Sequence, residues 1–151
     1  GRTVALTALV GVSVVSGAFV AGLKAGLAYN TFPLMAGQWI PSGLFNVEPA
    51  WRNLFENVMT VQFDHRLVAL TTLLAIVVYW LFFRRMYGFP DRARPAAHGL
   101  LVVGLLQVIL GISTLLLSVP IALAAAHQAN ALVLFSIALY LCHALRGRSD
   151  Y

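Results

Sequence analysis

Charge is scarce in this sequence: Asp, Glu, Lys and Arg together make up 10% of its 151 residues, against about a quarter in a typical soluble domain. Hydrophobic residues make up 60%. These proportions exclude a water-soluble globular protein. The formal net charge of +5 does not indicate nucleic-acid binding, because the basic residues lie at the ends of apolar runs, where a membrane protein needs them. We therefore expect a lipid bilayer and no nucleic acid as partner.

The scarcity of cysteine and the absence of carboxylates within the apolar runs limit the chemistry that this chain can perform. The one cysteine, Cys142, lies inside an apolar run, which excludes an intrachain disulfide and a cysteine-ligated metal site. No carboxylate lies deep in an apolar run, and the sequence has no Gly-rich phosphate loop and no nucleophile–base pair at useful spacing. Acid–base hydrolysis has no support, and we assign no catalytic residue.

Four segments are long and apolar enough to cross a bilayer, which takes roughly 20 residues per helix. No charged residue lies between Arg2 and Lys24, and none lies between Pro95 and Leu145. The second stretch is broken at residues 118–120, because Pro120 cannot continue a helix. The predicted spans are about 3–24, 60–84, 98–117 and 121–145, with an outer loop at 25–59. Because open sheets leave backbone groups unpaired in lipid, the fold class is all-α: one integral membrane four-helix bundle over residues 1–151.

Basic residues are divided unequally between the two ends of this bundle. Seven lie at the end that holds both termini and the loop 84–95, and three lie at the other end. An excess of Arg and Lys marks the cytoplasmic side, so the loop 25–59 is predicted to lie outside. Its aromatic residues suit the headgroup layer, and Pro49 is placed to start a short interfacial helix. The loop either caps the bundle only or also covers a ligand.

The membrane is predicted to be the bacterial plasma (inner) membrane, or the mitochondrial inner membrane in a eukaryote. The chain opens Gly-Arg-Thr without an initiator Met, and no small-residue cleavage site follows its first apolar run. We therefore expect a piece of a longer protein and no signal peptide.

Small and amide residues within the spans predict close helix packing. Gly22 and Gly26 form a small-xxx-small pattern, and Gly104 and Gly111 recur on the third helix. Small residues let helix backbones approach closely in lipid. Gln107 lies mid-membrane and is predicted to make an interhelical hydrogen bond.

Two histidines lie at matching depths on different predicted helices. His65 is 19 residues before Arg84, and His127 is 19 residues before Arg146, so each lies roughly 28 Å from its basic anchor at about 1.5 Å per residue. Such a pair suits the clamping of a flat macrocycle, with one imidazole on each face of its iron. The alternative is two unrelated histidines that make hydrogen bonds between helices.

A second histidine pair, His98 and His143, lies at the predicted cytoplasmic ends of the third and fourth helices, at the other side of the membrane from His65 and His127. These two also share a depth, so a second haem is conceivable. Both sit beside loop arginines at the water interface, where solvated histidines are common, and we favour that interpretation.

Four motifs give the chain a family resemblance, and they follow the family order across most of its length. The motifs are AGLKAGLAYNTFPLM at 21–35, WRNLFEN at 51–57, VQFDHR at 61–66 and AHQANA at 126–131, with GISTLL at 111–116 before the last. Together they resemble the C-terminal half of haem A synthases, whose eight spanning helices form two four-helix repeats. The resemblance implies an oxidoreductase that oxidises a methyl group of haem O to the formyl group of haem A, a cofactor of terminal oxidases.

The resemblance also implies a division of labour between the two halves. Each half carries a histidine pair on its second and fourth helices, and the matching positions here are His65 and His127. In the C-terminal half this pair is taken to bind haem b through its iron, while the N-terminal half handles the substrate haem O. A glutamate of the N-terminal half, three residues before its first ligand histidine, is thought essential, and the matching residue here is Gln62. The cysteine pair of some bacterial members is absent here.

The sequence-based prediction is therefore the haem b half of a haem A synthase, with the N-terminal half of the same protein and an unknown electron donor as partners. Lys24 and Arg66 lie near the outer end and are candidates to pair with haem propionates. Two alternatives remain: a free-standing b-type cytochrome that carries electrons, and a haem-free assembly subunit.

Overall fold

The computed structural model describes residues 1–146, and within that range the chain is helical, with no strand beyond an isolated bridge between Met35 and Gln38. The helices in chain order are α1 (Arg2–Gly22), α2 (Ala25–Ala28), α3 (Asn53–Glu56), α4 (Val58–Phe83), α5 (Arg94–Leu116) and α6 (Ile121–Arg146). Of these, α1, α4, α5 and α6 are long and apolar enough to cross a membrane. The prediction of an all-α membrane four-helix bundle is confirmed. Arg148, one of the seven basic residues counted above, and Asp150 lie outside the described residues.

Local chemistry explains where the spanning helices begin. Asn57 caps α4, its side-chain oxygen accepting hydrogen bonds from the backbone N–H groups of Met59 (3.0 Å) and Thr60 (3.4 Å), which satisfies donors that the first turn leaves free. The third spanning helix, α5, begins at Arg94, four residues before the predicted start. Pro95 stands in its first turn, where a helix needs no N–H from that residue.

Left-handed residues end two of the helices. α1 ends at Gly22, and Lys24 has a φ of 52°. The turn from α5 to α6 has two consecutive left-handed residues, Ser118 and Val119, before Pro120. The predicted break at 118–120 is thus confirmed.

The four spanning helices pack as a closed ring. α1 contacts α4 and α6, and α5 likewise contacts α4 and α6. The helices α4 and α6 are therefore diagonal partners across the bundle, as are α1 and α5. Gly104 of α5 confirms the close approach predicted for small residues, because a Cβ there would lie 3.2 Å from Ile76 of α4. The prediction is wrong for Gly22, which has no neighbouring atom within 4 Å of that position because α1 ends there.

The packed core fills only one end of this ring. Its members come from all four spanning helices and the loop 84–93, and include Leu6, Phe83, Phe89, Leu100 and Leu141. We call this the inner end, following the predicted orientation, and the end that carries Lys24 and the α5–α6 turn the outer end. In the described part of the chain, the outer end has no comparable core of buried hydrophobic residues.

The segment between α1 and α4 forms an ordered cap. The predicted short helix after Pro49 is confirmed as a 3₁₀ turn at Ala50–Arg52 that continues into α3. Asn53 is fully buried, and its side chain bonds Val47 through both the backbone N–H (3.0 Å) and the carbonyl (2.7 Å). Trp39 and Trp51 are exposed, as residues of the headgroup layer would be.

The predicted orientation is testable by labelling. Ser42 in the cap and Asp91 in the inner loop are both exposed, and single Ser42→Cys and Asp91→Cys variants should differ towards a membrane-impermeant thiol reagent in intact cells. We expect Ser42→Cys to react and Asp91→Cys to react only after the membrane is permeabilised. The parent chain with Cys142 alone is the control. The opposite labelling pattern would reverse the orientation.

Candidate functional site

A cavity of about 710 Å³ lies between the spanning helices, towards the outer end of the bundle. All four helices line it, through residues such as Val14, Ala69, Val108 and Ala131. The lining is mainly apolar, with a few polar side chains among them. A cavity of this size and character is typical of sites for small molecules and cofactors, which run from about 300 to 1,000 Å³.

His65 enters the cavity from α4 and rests against α1. Its ring lies over Gly17, where a Cβ would be only 3.1 Å from the ring carbon Cε1. Its Nδ1 is 2.9 Å from the hydroxyl of Ser16. Two consecutive residues of α1 therefore hold this ring.

His127 enters the same cavity from α6 and rests against α5 in a similar way. A Cβ on Gly111 would lie 2.9 Å from the ring carbon Cε1 of His127. The Nε2 of His127 is 3.4 Å from the amide nitrogen of Gln107, whose oxygen accepts a 2.7 Å hydrogen bond from Asn130. This bond joins α5 to α6 and confirms the interhelical role predicted for Gln107. The Nδ1 of His127 is buried without a partner among the described residues.

Polar side chains also stand at the outer end of the cavity. Gln62 and Arg66 line it together with Lys24, and both Gln62 Nε2 (2.7 Å) and Arg66 Nη2 (3.0 Å) donate to the carbonyl of Tyr29. The oxygen of Gln62 and the Nε of Arg66 are buried without partners within the described part of the chain. The outer end therefore offers positive charge and free hydrogen-bonding atoms facing an otherwise apolar space.

The other two histidines stand apart from this cavity. His98 and His143 are exposed, and neither lines it. The Nδ1 of His98 accepts a 3.0 Å hydrogen bond from the indole N–H of Trp80. These positions agree with the solvated-histidine interpretation preferred above.

Sequence reasoning found the two cavity histidines but missed the residues that seat them. Ser16 and Gly17 belong to none of the motifs, Asn130 lies in the AHQANA motif without a predicted role, and the prediction for Gly111 was helix packing. Depth in the membrane is the sequence signal that could have found Gly17 and Gly111, because each lies on a neighbouring helix at the level of a histidine ring.

The donor set bears on the kind of metal that the site accepts. Within residues 1–146 no group of three or more His, Cys, Asp or Glu side chains could hold a bare metal ion. A haem needs fewer protein donors, because the macrocycle supplies four nitrogens and leaves only the axial positions open. Two histidines on one large apolar cavity fit that requirement.

Known proteins place the chain in a family. A sequence profile of the COX15-CtaA family, described as a cytochrome oxidase assembly protein, matches residues 1–139. The chain is 55% identical to the heme A synthase of Nitrosospira multiformis over 141 residues, which cover 93% of this chain and 39% of that protein. It is 50% identical to heme A synthase COX15 of Arabidopsis thaliana (93% of this chain, 31% of the relative) and 51% identical to that of Homo sapiens (91% and 33%).

The chain thus spans about a third to two fifths of the length of these relatives. No solved structure matches it. The motif resemblance noted in the sequence is confirmed by a family match over most of the chain, and the chain belongs to the COX15-CtaA family, that of the haem A synthases.

Proposed function

We propose that this chain is the haem b-binding, C-terminal half of a haem A synthase and that it holds one haem between His65 and His127. The whole protein would oxidise the methyl group of haem O to the formyl group of haem A, with an electron donor still to be identified. Four spanning helices and relatives from bacteria, plants and animals make the chain a multi-pass protein of the bacterial plasma membrane or the mitochondrial inner membrane.

The observation that carries this proposal is the placement of the two histidines. They lie on α4 and α6, the diagonal helices of the ring, and both line the cavity of about 710 Å³ between the helices. His65 rests against α1 and His127 against α5, so the two rings enter the cavity from different sides of the bundle. A planar macrocycle in the cavity would then receive one imidazole on each face.

The orphaned polar atoms around the cavity support the same assignment. Buried polar groups are normally satisfied, yet Gln62, Arg66 and His127 each have a buried atom that finds no partner among residues 1–146. Arg66 and Lys24 supply positive charge at the outer end of the cavity. Haem propionates there would be neutralised by the Arg66 guanidinium fork, and the apolar remainder would receive the ring.

The protein's part in this site is to bind, orient and exclude water. A bound haem supplies one-electron chemistry at its iron. His65 and His127 would hold the iron and orient the ring, and the apolar lining would keep water from it. The side chains at the outer end of the cavity would keep the propionates at that end.

The presence of Gln62 favours a role for this half of the protein as an electron carrier rather than as the site of methyl oxidation. Gln62 lines the cavity one helical turn from His65, where the N-terminal half of the family has a glutamate. An amide makes hydrogen bonds, here to the Tyr29 carbonyl, but it cannot accept a proton as a carboxylate can. The methyl oxidation is therefore assigned to the other half of the whole protein.

The test is to purify the 151-residue chain and the full-length protein side by side. We expect the chain to carry haem b with a low-spin absorption spectrum, and to produce no haem A when supplied with haem O, reductant and oxygen. The full-length protein is the positive control for turnover. A haem-free chain would support an assembly subunit instead, and haem A formed by the chain at the rate of the full-length protein would place the active site here.

A further inference from the structure

We propose that Ser16 and Gly17 of α1 are positioning residues that fix the tautomer and the ring orientation of His65. The proposal rests on the proposed function, in which His65 is an axial ligand of haem iron. It assigns a role to two residues of a helix that carries no ligand.

The hydrogen bonds of Ser16 determine which nitrogen of His65 carries the proton. Ser16 Oγ lies 2.9 Å from the backbone carbonyl oxygen of Ser13 and 2.9 Å from Nδ1 of His65. The hydroxyl has one proton, so both contacts are hydrogen bonds at once only when that proton goes to the carbonyl and the imidazole Nδ1–H donates to Ser16 Oγ. In this arrangement Nε2 keeps the lone pair that would bind iron.

Such a partner does more than select the tautomer. An acceptor on the far nitrogen of a ligating histidine fixes the ring and raises the basicity of the ligating nitrogen. Serine is a neutral acceptor, so the effect is moderate, and its direction is to favour ferric over ferrous haem.

Gly17 fixes the orientation of the same ring by contact. A Cβ at this position would lie 3.1 Å from Cε1 of His65 and 3.7 Å from both ring nitrogens. A contact of 3.1 Å is shorter than the optimal separation of packed carbon atoms, about 3.5–4.0 Å, so the His65 ring would have to shift by a few tenths of an ångström. A larger residue would push the ring towards the cavity and tilt it against the hydrogen bond from Nδ1.

The surroundings of His127 differ from those of His65. The ring of His127 also rests on a glycine, Gly111, but its Nδ1 has no hydrogen-bond partner among residues 1–146. The two proposed ligands are thus inequivalent. Residues of α1 orient the ring of His65, whereas the Nδ1 of His127 has no such partner among the described residues.

The experiment uses the full-length protein purified with its haem, and it follows the low-spin electron paramagnetic resonance signal that His65→Ala abolishes. Three Ser16 variants are compared: Ser16→Ala, Ser16→Val and Ser16→Thr. Valine and threonine have the same shape and differ by the hydroxyl. Ser136→Ala is the control, because Ser136 is exposed and bonds only a carbonyl of its own helix.

We expect the Ala and Val variants to raise the midpoint potential of this haem and to speed haem loss by about tenfold or more, the usual effect of removing such a partner. The Thr variant should restore both values, and Ser136→Ala should leave both unchanged. Gly17→Ala should shift the g-values of the signal. Gly11→Ala, whose Cβ would meet Phe135 at an ordinary 3.4 Å, should leave them unchanged.

Unchanged potential and haem loss in Ser16→Val relative to Ser16→Thr would overturn the role of Ser16 alone. Unchanged g-values in Gly17→Ala would overturn the role of Gly17 alone. If His65→Ala abolishes no haem signal, the proposed function fails, and this inference fails with it.

Discussion

Replacing either His65 or His127 with alanine should abolish the six-coordinate, low-spin haem signal of this chain. Each variant removes one of two axial ligands, so the remaining histidine leaves a five-coordinate, high-spin iron. The double variant should retain essentially no haem, because the cavity then offers only apolar contact and the charges at its outer end. Visible absorption and electron paramagnetic resonance spectra of the purified variants measure both effects.

The matched controls are His98→Ala and His143→Ala, which remove the same side chain at exposed positions away from the cavity. Both should keep the wild-type spectrum and haem content. A wild-type spectrum in His65→Ala and His127→Ala would show that neither histidine binds iron. Loss of the signal in the His98 or His143 variant alone would move the site to the inner end.

The second large effect is expected from Asn53→Ala in the outer cap. Asn53 is 0% exposed, and its amide bonds the N–H and carbonyl of Val47, the carbonyl of Ala50 and the amide of Asn57. Alanine removes the partner of both Val47 groups, at a cost of roughly 1–3 kcal/mol for each group that water cannot reach, whereas the Asn57 amide keeps its bonds to the carbonyls of Gly43 and Leu44. A net loss of about 2 kcal/mol would raise the open population of the cap roughly 30-fold.

Hydrogen exchange read by mass spectrometry measures this opening. The peptides covering residues 43–57 should exchange faster in Asn53→Ala, while those of α5 and α6 should not change. Asn46→Ala is the control, since Asn46 is exposed on the same cap. Equal exchange of residues 43–57 in the wild type and Asn53→Ala would mean that Asn53 does not hold the cap.

Much of the fold follows from a few residues. The charge-free runs locate the spans, and Pro120 locates the hairpin turn. The helix α5 starts four residues before the predicted span at 98, because Pro95 suits the first turn of a helix. A Cβ on Gly26 would lie 3.0 Å from Val119, but the predicted packing failed at Gly22, because α1 ends there and Lys24 adopts a left-handed conformation. A spacing rule does not reveal that kind of local break.

The candidate site, like the fold, could be predicted from the sequence only in part. Depth along the helices brought His65 and His127 together, because helical rise is regular and basic residues mark the membrane boundary. Depth places Gly17 level with His65, but it does not show that Ser16 and Gly17 meet the His65 ring. Their importance depends on which face of α1 meets α4, and an almost uniformly apolar helix in lipid does not show that face in its sequence. Contacts between helices had to be seen in three dimensions.

The most direct test of the central claim, one haem held between His65 and His127, is a cryo-electron microscopy map of the full-length protein purified with its haem. The proposed site predicts density for a planar macrocycle in the cavity between α1, α4, α5 and α6, with the iron bonded to both imidazoles and the propionates towards Arg66. A cavity filled by lipid or collapsed side chains, or an iron bonded elsewhere in this half, would contradict it.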